Sequence, residues 1–283
     1  MPGCQHTQVH ALQRVSVCVS VAALLGLLAA SPAGAQQGLD PARQLYNLGR
    51  YQQAIETAGR LRATPMADAA NLLVARSYLE LFRKTTDRSA LLSARQALGD
   101  IQPSRLSPRD RTDYLIGLGE ALYLDDGFGP AAELFGSVLD RGDELGPVTF
   151  DRVFDWWATS LDRQAQSGAA GNREQLYEAV RERATVALGR IPGSSAAAYW
   201  LAASCRYLGD LTHAWDAAVA AWIRAPLAED QGRALRADID QLVLQAILPE
   251  RVRLMASTDT DRERVTAVLR ASWEAVKKDW PNK

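Results

Sequence analysis

Leu211-Thr212-His213-Ala214-Trp215-Asp216-Ala217-Ala218-Val219-Ala220-Ala221-Trp222-Ile223-Arg224-Ala225-Pro226 is the stretch on which the fold turns. Thirty-four residues upstream stands Tyr177-Glu178-Ala179-Val180-Arg181-Glu182-Arg183-Ala184-Thr185-Val186-Ala187-Leu188-Gly189-Arg190-Ile191-Pro192. Leu211, Ala214, Ala218, Ala221 and Pro226 align with Tyr177, Val180, Ala184, Ala187 and Pro192. The apolar members recur at intervals of three and four, the spacing of one helix face, and the proline closes each run. The same architecture twice at one offset points to a repeated helical unit.

Outside this pair the chain is helical in character throughout. Alanine, leucine, arginine and glutamate dominate, all good helix formers. Helix-face spacing recurs at Leu235, Ile239, Leu242, Val243 and Ala246, and again at Val265, Val268, Leu269, Ser272, Trp273 and Val276. Pro65, Pro103, Pro108, Pro147, Pro192, Pro226 and Pro249 fall between the runs, where helices are expected to stop. Alternating strand patterns are missing.

Two further stretches carry parts of the repeat. Gly49-Arg50-Tyr51-Gln52-Gln53-Ala54-Ile55, followed by Ala58, Leu61 and Pro65, reads as a turn and a second helix. Leu115, Leu118, Gly119, Leu122, Phe128, Ala131, Phe135 and Val138 read as a helix pair. In the best unit Ala202 sits in the first helix, Gly209 at the turn and Leu211 at the start of the second. Small residues are expected to meet where two helices cross, Gly119 or Ala202 against Ala131 or Ala214, while Tyr51, Phe128 and Phe135 fill the gap to the next unit. Leu72 to Leu98 is a looser unit with about three extra residues between its helices. Val148 to Pro192 carries an insertion of roughly ten residues, expected as a flexible loop around Ala165 to Asn172.

By the order of these small, aromatic, turn and proline positions the chain resembles the tetratricopeptide repeat family. The resemblance implies an all-α, right-handed α-α superhelix, a solenoid of antiparallel helix pairs. It spans residues 36–226 in about five units, the second and fourth degenerate, with capping helices over 227–283. It also implies a scaffold or adaptor that binds a protein or peptide partner on its concave face. The positions projected onto that face are Arg43, Tyr46, Asn47, Arg76, Glu80, Glu120, Tyr123, Tyr199, Arg206 and Tyr207. Tyrosine and arginine are the residue types that interface hot spots favour.

The first residues read as an export signal. Arg14 precedes an apolar run from Val15 to Ala30, about 16 residues and short for a membrane span. Ser31-Pro32 breaks it, and Ala33-Gly34-Ala35 offers a small-x-small cleavage site. Residues 1–35 are therefore expected to be a cleaved signal peptide, leaving a periplasmic or secreted chain of residues 36–283. Of three cysteines only Cys205 would remain, too few for an internal disulfide. The net charge of -1 supplies no basic field for nucleic acid, and no later segment suits a transmembrane span.

Catalytic patterns are missing. His213 would be the single remaining histidine, at a position expected to face solvent. Zinc, P-loop and Gly-x-Ser-x-Gly motifs do not occur, so no cofactor, metal or enzymatic activity is expected. Cys205 falls at a core position. Asp125-Asp126-Gly127 suits a turn, and Asp259-Thr260-Asp261 the start of a helix. The tryptophans are expected mainly in the core, with one of the neighbours Trp156 and Trp157 partly exposed. Two other readings compete with the scaffold. One is a stoichiometric subunit of a cell-envelope assembly. The other is a sugar-binding protein or hydrolase using carboxylates and tryptophans.

Overall fold

The computed structural model describes residues 38–142, 145–167, 170–228 and 230–281, with side chains at 170 and 171 left out. The expected signal peptide lies outside these residues. Among the described residues there is no β-strand, and no helix is long and apolar enough to cross a membrane.

Five consecutive helix pairs make up most of the described chain. They are α1 (Asp40–Asn47) with α2 (Tyr51–Gly59), α3 (Ala67–Thr85) with α4 (Arg88–Gly99), α5 (Pro108–Tyr123) with α6 (Phe128–Leu139), α7 (Pro147–Ser167) with α8 (Ala170–Arg190), and α9 (Ser195–Tyr207) with α10 (Leu211–Arg224). A last group follows: α11 (Arg233–Leu242), a π-helical turn (Val243–Ile247), α12 (Leu248–Met255) and α13 (Asp259–Asp279).

Local chemistry sets these boundaries. Asp87, Ser107, Ser194, Asp210 and Thr258 each accept a hydrogen bond from a first-turn amide, satisfying one of the donors a helix start leaves open. Two pairs turn on a left-handed glycine, Gly49 (φ 72°) and Gly209 (φ 78°). Thr86 (φ 55°) and Asp126 (φ 61°) take that conformation in two others. Asp259 and Asp261 fall in the first turn of α13, as their spacing suggested.

The pairs stack in two layers. Each odd-numbered helix packs on the next odd one, α1 on α3 and so on to α9 on α11. The even helices α2 to α10 pack mainly on their odd-numbered neighbours. Small residues line the crossings: Ala54, Ala58, Ala75, Ala94, Ala131, Ala184, Ala202, Ala214 and Ala218 are all buried. Two large hydrophobic cores result, besides a small one of Leu248, Val252 and Leu269 between α12 and α13. One runs from Leu39 to Ala121, the other from Ala131 through Trp273. The helix α5 walls both, giving Tyr114 and Leu118 to the first and Leu115, Ile116 and Leu122 to the second.

Four expectations need correction. The partner of Gly119 is a ring and not an alanine: a Cβ there would lie 2.6 Å from Cε1 of buried Phe135. Phe135 therefore packs inside its own pair as well as toward the next, where it meets Trp156 at 5.6 Å between ring centroids. The extra residues of the second and fourth units lengthen helices, and of the loop expected around Ala165 to Asn172 residues 168 and 169 lie outside the described residues. α3 has 19 residues, α7 and α8 have 21 each, and Ala165 is buried in α7. Helical continuation satisfies backbone groups that a loop would leave to solvent. Pro108 and Pro147 open helices at the first position, where no amide is needed, and do not end them. Pro249 lies within a continuous helical path. The π turn ahead of it, closed by the Leu248 N–H on the Val243 carbonyl, absorbs the missing donor.

The C-terminal group docks on the pairs. Trp273 is fully buried and meets Trp215 (5.9 Å) and Trp222 (5.5 Å) edge to face. At the junction Gly232 (φ 74°) comes so close to Ala225 that a Cβ would sit 2.2 Å from its carbonyl oxygen.

Two substitutions test this packing. Gly119→Ala gains about 1 kcal/mol of helix propensity but overlaps Phe135, and urea unfolding should show a net loss of about 1–2 kcal/mol. Gly232→Ala combines a left-handed φ with a backbone clash and should cost more, about 2–4 kcal/mol by the same measurement.

Candidate functional site

The odd-numbered helices leave one face free of the even layer, and a charged and aromatic network runs along its N-terminal half. From α1, the Tyr46 hydroxyl donates to Glu80 Oε1 at 3.3 Å, and the Arg76 guanidinium lies 5.0 Å over the Tyr46 ring. From α3 to α5, Arg76 pairs with Asp113 at 2.7 Å and Arg83 with Glu120 at 3.1 Å. Arg83 also meets Glu80 at 3.2 Å and lies 5.5 Å over Trp156 of α7. Arg152 of α7 reaches Glu80 at 3.8 Å and the same Trp156 ring at 5.9 Å. Arg43, Tyr46, Asn47 and Arg76 line an adjoining open cavity of about 380 Å³ with Arg109, Asp110 and Asp113.

The face continues past Trp156 toward the C-terminus. Tyr123 stands 6.5 Å from the Trp156 ring and 5.8 Å from Phe128. Trp200 Nε1 of α9 donates to Asp155 Oδ1 of α7 at 2.9 Å. Asp151 accepts from the Ser194 hydroxyl and, at 3.0 Å, from the Ser195 N–H, tying α7 to the start of α9. Arg206 makes a bidentate pair with Glu250 of α12 (2.6–3.1 Å) and lies 4.7 Å over Tyr207. Tyr207 in turn stacks on Tyr177 at 4.3 Å. The Tyr177 hydroxyl donates to Asp162 at 2.7 Å.

Burial shapes the ionisation of this face. It pushes the Glu120 carboxyl upward, with the Arg83 guanidinium opposing. It also raises Asp151, Asp155 and Asp238; Asp151 and Asp238 add to the rise at Asp155. The Tyr199 hydroxyl is raised by burial and by Tyr207, Asp238, Asp162 and Asp155 around it.

All ten projected positions therefore lie on the first helix of a pair, but in different circumstances. Tyr46, Arg76, Glu80 and Glu120 come together in one network, with Arg43 and Asn47 at its rim. Tyr123 bridges to Trp156, and Tyr199, Arg206 and Tyr207 form a separate C-terminal group. Glu120 is buried against Arg83, and Arg206 is engaged by Glu250. Arg83, Asp113, Arg152, Trp156, Asp155 and Asp238 complete the face and were not among the projected positions. A signal for part of this set is present: Arg76 and Arg83 are seven residues apart, Asp113 and Glu120 likewise, and each pair is offset by 37.

Elsewhere the polar groups read as structural. His213 is exposed, and its Nδ1 lies 2.5 Å from Asp210 Oδ2 at the start of α10. Cys205 is buried, and burial pushes its thiol up, away from the reactive thiolate. Asp125 pairs with Arg95 at 2.5 Å in the turn before α6. Trp157, Trp200 and Trp273 are buried, whereas Trp156 is half-buried and Trp280 exposed. No group of three or more histidine, cysteine, aspartate or glutamate side chains among the described residues could hold a metal ion.

No family model matches the chain, and no curated protein or solved structure is significantly similar to it.

Removing Arg83 tests the network. Arg83→Met leaves Glu120 buried without its main cation and should cost about 2–3 kcal/mol at pH 7. Glu120 has a folded-state pKa above its unfolded value. Its contribution is thus most favourable when protonated and is lost as pH rises through the folded value. The variant raises that value further, so urea unfolding should show the gap to the parent narrowing toward about pH 4.

Proposed function

We propose that this chain is an exported scaffold or adaptor of tetratricopeptide-like helix pairs that binds a protein partner on the free face of its odd-numbered helices. In this reading that face is the concave surface of a right-handed superhelix, and the chain works in the periplasm or outside the cell. The observation that carries the reading is the composition and exposure of that face. Tyrosine, tryptophan and arginine stand on consecutive first helices, held in register by ion pairs between those helices. Side chains already fixed by their neighbours lose little freedom when a partner arrives, which favours affinity.

Registry is the second support. Arg76–Asp113 and Arg83–Glu120 join α3 to α5, Glu80–Arg152 joins α3 to α7, and Arg206–Glu250 joins α9 to α12. A recognition surface spread over several units needs those units at constant spacing, and these bonds supply it.

Site-specific photocrosslinking tests the proposal. A photoreactive residue replaces exposed Asn47 or half-buried Tyr199 on the proposed face, or exposed Leu92 or Val186 on the even helices α4 and α8. In envelope extract the first two positions should yield the same discrete adducts and the last two none. Equal labelling from both layers would sink the proposal.

A further inference from the structure

The even layer carries a cavity that the scaffold reading leaves unused. It is open on one side, holds about 780 Å³, and lies between α8 and α10 with α9 as its floor. Small-molecule sites commonly enclose about 300–1,000 Å³. The walls are apolar and low: Val186 from α8, Leu201 and Cys205 from α9, Ala217 and Ala220 from α10. Val186 is 61% exposed, an unusual place for a branched aliphatic side chain.

The repeat sorts the charges around this cavity. Tyr177, Val180, Ala184 and Ala187 of α8 are buried, and so are Leu211, Ala214, Ala218 and Ala221 at the same places in α10. The 34-residue register is therefore the packing register, and Glu182 and Asp216, which share it, stand level across the cavity. Arg224 lines the other end, in the last turn of α10. Arg181 is held by Glu178 at 2.6 Å, and His213 by Asp210 at 2.5 Å. The side chains of Glu182, Asp216 and Arg224 make no hydrogen bond or ion pair among the described residues, although Arg224 is half-buried. An apolar trough thus ends in two unmatched carboxylates on one side and an unmatched guanidinium on the other.

We propose that this cavity binds short apolar peptides with both termini free, the ammonium between Glu182 and Asp216 and the carboxylate on Arg224. Spacing sets the length. Asp216 and Arg224 are separated by about 12 Å of helix axis, which an extended chain of about four residues spans. A guanidinium suits a terminal carboxylate because it offers two parallel N–H donors. Aliphatic side chains of the peptide lie on Val186, Ala217 and Ala220. The open side leaves its backbone groups in water, so the walls need supply no partner for them. A fatty acid would leave the two carboxylates unanswered, and an alkyl amine would leave Arg224 so. This site goes beyond the scaffold reading, since it lies on the other layer and takes a small ligand.

The test is isothermal titration of the full chain with the tetrapeptide Ala-Leu-Val-Ala in three forms: free at both ends, N-acetylated, and C-amidated. Each cap should weaken binding by about tenfold. Glu182→Gln/Asp216→Asn should weaken the free and amidated forms to the same degree and leave the acetylated form as it was. Arg224→Gln should weaken the free and acetylated forms and leave the amidated one. Ala217→Phe fills the trough from a half-buried wall position and should abolish binding of all three. Melting curves confirm that each variant is folded. No binding of the free peptide, or binding indifferent to both caps, would overturn the proposal. So would charge variants that weaken all three forms alike, or full binding in Ala217→Phe, which would put the peptide elsewhere. None of these readings depends on crosslinks from Asn47 or Tyr199, so this proposal and the scaffold reading can fail separately.

Discussion

The approach of helix to helix across alanine and glycine sets the spacing on which everything else in this molecule relies. Ala54, Ala75, Ala131, Ala184, Ala202, Ala214 and Ala218 lie buried in the helices of the five pairs. A side chain of one carbon lets backbones come close and leaves the larger residues to lock neighbouring pairs. Phe135 shows both halves of the scheme, seated over Gly119 on one side and against Trp156 on the other. Without that spacing the ion pairs between first helices would not reach. Arg76–Asp113 at 2.7 Å and Arg83–Glu120 at 3.1 Å depend on α3 and α5 lying in direct contact.

Much of this was legible in the sequence, and the exceptions share a cause. The 34-residue offset, the glycine turns at Gly49 and Gly209 and the burial of Cys205 follow from local pattern. What went astray were features decided by distant contacts. Residues 165–167 and 170–172, read as parts of a loop, belong to α7 and α8, which have neighbours to cover them. Pro249 reads as a stop, yet a π turn one step earlier carries the helix through it. The residue facing Gly119 could not be read either, since alanine and phenylalanine both fit a helix-face pattern.

The candidate face divides the same way. Its projected residues do lie on first helices, because helix order alone places them there. Which of them are available depends on partners far away in sequence. Arg206 is engaged by Glu250, 44 residues on, and Glu120 by Arg83, 37 residues back.

The helix α5 has a part in the whole array that its length does not suggest. It is the common wall of two hydrophobic cores, one reaching back to Leu39 and the other forward to Trp273. Heat and denaturant therefore meet two bodies of different size sharing a partition. The larger includes the tryptophan cluster around Trp273, while the smaller leans on α5 for part of its cover. A single melting temperature describes such a chain only while the partition holds both sides to one transition. Once it yields, the near-ultraviolet signal, with every tryptophan in or against the larger body except Trp280 in the C-terminal tail, and the far-ultraviolet signal of all the helices would part company.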